Sequence, residues 1–314
     1  MRFDHILFPT DFSEHSLAVR SQVESVARRF GSKVTLMHVF EIPLTWGMTD
    51  VSFAAGSGLN QFITSAKERL ARYPLDLPDT HVERVLMEGN PASHIAERVS
   101  WDPTDLIMMG SHGYGKLHRV LIGSVTVKVM HDVTCPVWTD SNLYRQDGAW
   151  DTIRSIVCAV QLDEEAVPLL RYARDVGREF NANVRLVHIM DEVQTRRERS
   201  FDFDLHRYLF DSAHIEISKL QREAGTEFPV SIGGSAISDT VVDATDIWSV
   251  DLVVIGRGKA HSAFGQLRTH AYDLIRRSPC PVLSYSAQEP IRISSFCSGA
   301  HVERYATGQR LLTS

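Results

Sequence analysis

Apolar residues along this chain cluster in short continuous runs. Between the runs lie longer stretches whose apolar positions recur every three or four residues. The first run, Ile6–Phe8, precedes Ser13 and then Leu17, Val19, Val23, Val26 and Phe30, spaced to bury one helix face, with Gly31 to end it. Val34–Phe40 reads as a second strand and Gln61–Arg72 as a second helix, across a Pro-, Gly- and Ser-containing loop at 42–60 that carries Trp46 and Phe53. Val82–Met87 is a third strand. Asn90-Pro91 has the cap-then-proline form of a helix start, with Ile95 and Val99 facing inward. Leu106–Met109 and Pro136–Thr139 supply strands four and five. Continuous apolar strands alternating with helices predict a parallel sheet covered on both faces.

The same order then repeats. Ile6–Asp11 pairs with Ile156–Gln161, Val34–His38 with Val184–His188, Asp105–Gly110 with Asp251–Gly256, and Cys135-Pro-Val137 with Cys280-Pro-Val282. Several matches in one order indicate a duplicated domain rather than a short-period solenoid. Asp140–Trp150 is polar and irregular and reads as an interdomain linker. The expected division is a first domain at 1–140, a linker at 141–153, a second domain at 154–286 and a tail at 287–314 with weak periodicity, partly ordered at best.

Composition narrows the classes. The length of 314 residues suits two domains, and 43% apolar content suits globular cores. A net charge of −6, with no basic arm, argues against a nucleic-acid partner. No segment approaches the roughly 20 apolar residues that span a bilayer. The start, Met1–His5, places charges where a signal peptide needs an apolar core, so a cytoplasmic location is expected. Cys135, Cys158, Cys280 and Cys297 stand apart, without a CxxC pair, and read as structural thiols.

The chemistry concentrates after strand four. Gly110-Ser-His-Gly113, nine further residues, then Gly123-Ser124 lead into a helix-like run to His131. Glycines let backbone approach a ligand closely. A helix opening at Ser124 presents unpaired N–H groups and a positive dipole end, and Ser124 reads as its cap. Together these form an anion cradle suited to a nucleotide phosphate. Gly110–Leu117 falls short of a P-loop, because Leu117 stands where Ser or Thr would hold Mg²⁺. It is not a dinucleotide fingerprint either, since the glycines follow the fourth strand and not the first. His112, His118 and Arg119 either screen phosphate charge or form a solvated loop face. His38 and His188, repeated on strand two, read as satisfied core histidines. The Trp46–Gly58 loop is either a lid, as its length suggests, or merely a long loop.

These motifs together resemble the universal stress proteins in their tandem two-domain form. The family pattern G-x2-G-x9-G-[ST] is met by Gly110, Gly113, Gly123 and Ser124. Asp11 after strand one, Gly89-Asn-Pro91 before a helix and Cys135-Pro-Val137 also agree. The resemblance covers about residues 3–139 and, more weakly, 154–285. It implies an α/β fold of two tandem Rossmann-like domains of the adenine nucleotide alpha hydrolase type, each a five-stranded parallel sheet flanked by helices. It implies ATP as ligand, with Mg²⁺. By position, Asp11 would meet the nucleoside and Val39 would flank adenine. Gly110, Gly113, Gly123, Ser124, Val125 and Thr126 would hold ribose and phosphates. Pro9, Thr10, Met109 and His112 complete the candidate set.

The second half departs from this pattern. Gln161 replaces Asp11, Arg257-Gly-Lys259 displaces the second glycine, and Arg268 stands at the place of Gly123, with Thr269 after it. The expectation is an ATP-binding stress-response regulator with one competent site and one structural or interacting pseudo-site. Alternatively, Arg257, Lys259 and Arg268 bind another anion. The expected partners are an adenine nucleotide and an unidentified protein. The halves would pack as an internal pseudo-dimer, and whole chains could pair further as homodimers. The rival readings are a slow ATP hydrolase on the same fold and a nucleotide-free interaction module.

Overall fold

The computed structural model describes residues 2–42, 57–111, 122–140, 152–190, 203–233, 237–258, 266–287 and 303–306. The lid reading at 46–58 lies outside these residues except for Ser57 and Gly58. So do His112, Gly113, His118, Arg119, Lys259 and Cys297.

Strand β1 (His5–Pro9) is buried at all five positions, as a continuous apolar run in a doubly covered sheet should be. Ser13 caps helix α1 (Glu14–Phe30), its hydroxyl accepting from the Ser16 N–H, and Gly31 closes the helix at φ 67°. There follow β2 (Lys33–Phe40), α2 (Ser57–Ala71), β3 (Val82–Glu88), α3 (Pro91–Trp101), β4 (Leu106–Gly110), α4 (Ser124–Asp132) and β5 (Val137–Asp140). The second half repeats this with β6 (Ser155–Val160), α5 (Ala166–Phe180), β7 (Asn183–Ile189), α6 (Phe203–Ala224), β8 (Val230–Gly233), α7 (Ile237–Trp248), β9 (Leu252–Gly256), α8 (Gln266–Arg277) and β10 (Val282–Tyr285). Helix α5 ends at Asn181, φ 53°, the left-handed position that Gly31 fills in α1.

Each half runs in the order 3-2-1-4-5, all parallel, and the halves join edge to edge. The join is antiparallel. Trp138 lies opposite Leu283, the Ser284 hydroxyl donates to the Val137 carbonyl at 3.1 Å, and the Thr139 hydroxyl to the Val282 carbonyl at 3.4 Å. The pseudo-dimer is therefore a single continuous sheet. One apolar layer, including side chains of α1, α2, α5 and α6, covers one face across both halves; α3, α4, α7 and α8 contribute to the other. Phe30 and Phe180 meet across the join, ring centroids 5.6 Å apart.

Two sequence expectations need correction. Asp140 is not linker: it ends β5, buried. The tail contributes a strand, β11 (Glu303–Ala306), antiparallel to β3, so the sheet has eleven strands and is not purely parallel. Its pairing satisfies the outer edge of β3, a contact no local periodicity announces. No described helix is long and apolar enough to cross a membrane.

Candidate functional site

In a 3-2-1-4-5 sheet the chain leaves β1 toward one face and returns to β4 from the other. The loops after β1 and β4 therefore diverge and open a crevice at the strands' carboxyl ends. Pro9 ends β1 and Thr10 and Asp11 follow it; Met109 and Gly110 end β4; Val39 lies near the end of β2. The sheet thus brings those six predicted residues to one edge.

The turn after β1 is tightly specified. The Thr10 N–H extends the sheet to the Met37 carbonyl at 2.8 Å, and its hydroxyl meets Ser16 Oγ at 2.9 Å. Asp11 Oδ1 accepts from Ser13 N at 2.9 Å and Ser13 Oγ at 2.6 Å. Its Oδ2 makes no hydrogen bond to a described residue, and the residue is half-buried. Phe12 between them adopts φ 63°, rare for an aromatic residue. Such strain persists only where surroundings enforce it. Here the ring rests 4.3 Å from the His38 ring, and the Arg69 guanidinium lies 4.5 Å above it. Tyr73 supports the turn from behind, its hydroxyl donating to the Ser16 carbonyl at 3.3 Å; burial pushes its pKa up to about 12.

His38 is the satisfied histidine its strand position suggested. Nδ1 sits 2.7 Å from the Thr10 carbonyl. Burial lowers its pKa; the Thr10 carbonyl opposes the fall, Arg69 adds to it, and Asp11 opposes. His188 repeats the contact, 3.0 Å from the Val160 carbonyl, with its pKa again lowered by burial.

At the far side, the cap differs from expectation. Gly123, not Ser124, is the N-cap of α4, and among the described residues no side chain makes a capping hydrogen bond there. Gly123 has φ −59° and ψ 136°, open to any residue, so conformation does not demand glycine there. What glycine supplies is the absence of a side chain in front of the first N–H groups. Ser124 is the first helical residue and is exposed; Val125 is half-buried; Thr126 is buried and its hydroxyl donates to the Gly110 carbonyl at 3.1 Å. The Gly123 N–H donates to the Ser111 carbonyl at 2.8 Å, and the Ser111 N–H to the Asp140 carbonyl at 3.0 Å. These bonds fix the helix start against β4 and β5 while leaving its N–H groups unobstructed by a cap.

Sequence reasoning missed this support. Ser111 lies inside the motif and is fully buried. Gln22 is also buried: it accepts from Trp138 Nε1 at 2.6 Å and donates to Asp140 Oδ2. A glutamine on the apolar face of α1, between Val19 and Val26, was the available signal.

The second half repeats the frame with different chemistry. A small cavity of about 60 Å³ lies at the ends of β6 and β9, its lining including Val160, Leu169, Ile189, Ile255 and Leu274. That is room for roughly four to six waters. Glu165, buried, directs Oε2 to within 3.9 Å of where a Cβ on Gly256 would lie, so a carboxylate occupies the neighbourhood a phosphate would need. Arg257 does not face this cavity's ligand space: its guanidinium donates to Met130, Val133, Thr134 and Cys135 carbonyls of the first half. The three described cysteines are free, and burial raises the Cys135 and Cys158 pKa values to about 12, in keeping with inert thiols.

The universal stress protein family model matches twice, over residues 2–139 and 152–285. The universal stress protein MJ0531 of Methanocaldococcus jannaschii is 28% identical over 141 residues, covering 43% of this chain and 80% of that protein. A second from that organism, MJ0577, is 28% identical over 150 residues, covering 43% of this chain and 93% of its own length. The crystal structure of a universal stress protein from Archaeoglobus fulgidus shares the fold, with a TM-score of 0.61 at 19% identity, over 92% of this chain and 100% of that one.

Proposed function

Since the chain belongs to the universal stress protein family, we propose that it is a cytoplasmic, ATP-binding regulator of the stress response, with one nucleotide site in its first half. The observation that carries this reading is the start of α4: a glycine N-cap, no capping side chain among the described residues, and a position at the sheet's switch point. Asp11 Oδ2 is the carboxylate oxygen left for the nucleoside, and Val39 flanks the base. Gly110, Gly123 and the amides of Ser124, Val125 and Thr126 take ribose and phosphates. Gly113 and His112 join them by sequence position.

Mg²⁺ would arrive on the phosphates and keep several of its waters. Among the described residues no group of three or more His, Cys, Asp or Glu converges to hold a metal. ATP acts here as a ligand that orders the loop and biases contacts with a protein partner. His38 already spends Nδ1 on Thr10, and Ser13 donates its proton to Asp11, so neither is arranged as a nucleophile–base pair.

The second half serves structure or interaction. Its cavity is small, the carboxyl groups of Asp163 and Glu165 are in its lining, and Arg257 is committed elsewhere. The test is to denature the purified protein and identify what nucleotide it releases, then titrate the emptied protein with Mg-ATP. One equivalent of adenine nucleotide is the expected result. Absence of both carried and added nucleotide would favour the interaction module. Steady turnover of ATP that is lost in Gly123→Arg would make the site hydrolytic.

A further inference from the structure

Arg257 follows β9 at the place Ser111 takes after β4. Their backbones do the same thing: the Arg257 N–H donates to the Tyr285 carbonyl at 2.8 Å, as the Ser111 N–H does to Asp140. Their side chains part company. Arg257 reaches across the join to the carboxyl end of α4. Nη1 donates to the Met130 and Val133 carbonyls, both at 3.0 Å; Nη2 donates to Thr134 at 3.1 Å and Cys135 at 2.6 Å. The side chain is 9% exposed. Burial lowers its pKa to about 10, which leaves it charged at neutral pH.

Helix α4 has nine residues, a rod of roughly 13–14 Å. Its front end is the phosphate cradle, fixed by the Gly123–Ser111 and Thr126–Gly110 bonds. Its back end presents carbonyls that the helix cannot satisfy internally; Arg257 takes one of them, Met130, together with the C-cap carbonyl of Val133 and the Thr134 and Cys135 carbonyls of the segment leading into β5. A cation at that end also offsets the negative pole of the dipole.

We propose that Arg257 is a positioning residue for the phosphate cradle of the opposite half, so that the second half governs how well the first holds a phosphate. This rests on the nucleotide reading above. The coupling is one-directional in residues, because Ser111 is too short to clamp α8 in return. It is reciprocal in energy: whatever Arg257 adds to phosphate binding, phosphate adds to the clamp.

The test uses the full chain. Mg-ATP and adenosine are titrated into wild type, Arg257→Lys and Arg257→Met, and hydrogen exchange of the wild type is followed with each ligand. Arg257→Met should weaken ATP roughly tenfold while adenosine changes by no more than about twofold, with Arg257→Lys between. In the wild type, ATP should slow exchange at Arg257 and at Val282–Ser284 in the join, and adenosine should not. The exchange measurement stands even if a variant misfolds. Equal losses for both ligands, or ATP protection confined to the first half, overturns the proposal while leaving the nucleotide site in place. A wild type that binds neither ligand removes the site reading itself, and this proposal with it.

Discussion

The turn after β1 and the turn after β6 leave the sheet at matching points, yet their chemistry separates at once. In the first, Asp11 gives one oxygen to Ser13, and Phe12 is held in a strained conformation between His38 and Arg69. In the second, Gln161 replaces the carboxylate, and Glu165 brings a buried carboxyl group toward Gly256. Behind these turns, Gln22, Trp138 and Asp140 form a polar chain, where Tyr172 and Tyr285 stack at 4.3 Å. The strands beneath repeat one order in both halves. Strand identity thus tolerates divergence in loops, and ligand chemistry resides in those loops rather than in the fold.

The strongest test of this contrast is Gly123→Arg, which copies Arg268 into the first half. Because Gly123 has φ −59°, the backbone should accept the change. ATP affinity should fall at least about a hundredfold, with circular dichroism unchanged. Retained affinity would mean that the cradle lies elsewhere.

Next comes stoichiometry with an attempted repair. Wild type should bind one Mg-ATP per chain by calorimetry. Gln161→Asp combined with Arg268→Gly should still bind one, because Glu165 and the small cavity remain. A second equivalent would show that the halves differ only at the substituted positions.

Smaller effects should separate the two ends of the site. Asp11→Asn should weaken ATP and adenosine alike, by roughly 1.5–3 kcal/mol, or one to two decades. Ser124→Ala should weaken ATP more than adenosine and by less than Asp11→Asn, since the amides of Val125 and Thr126 remain. Equal losses for both ligands in both variants would point to a loosened loop instead.

The smallest effect probes a feature the halves share. Burial lowers the pKa of His38 and of His188 below 6.5. The folded state therefore binds fewer protons than the unfolded state in the window just below pH 6.5. Stability is full above that pH and declines as pH falls through it. The melting temperature should drop from about pH 7 to about pH 5, and His38→Gln and His188→Gln should each flatten the drop. Flattening by only one of them would show that the shared contact matters in one half alone.

The strands were legible because a doubly covered sheet demands unbroken apolar runs, and α1 and α5 because their buried faces repeat at helical spacing. The start of α2 lay four residues earlier than its apolar pattern indicated, since polar residues can extend a first turn. Ser124 read as a cap because a serine before an apolar run is the usual cap signature, and only backbone geometry gives that place to Gly123. Arg257 read as a possible anion ligand because it follows a glycine; its partners lie more than 120 residues away in the other half. Strand β11 pairs with residues over 200 positions distant, which no local period encodes.

The clamp from Arg257 could not have arisen in a pair of identical chains without contradiction. A symmetric dimer carries every substitution in both copies, so an arginine that braces a neighbour's helix would also sit in the loop of its own. Fusion of the two copies through one covalent chain removes that constraint. It also fixes their ratio at one to one regardless of dilution or gene dosage, so one copy can give up its ligand to become the permanent brace of the other.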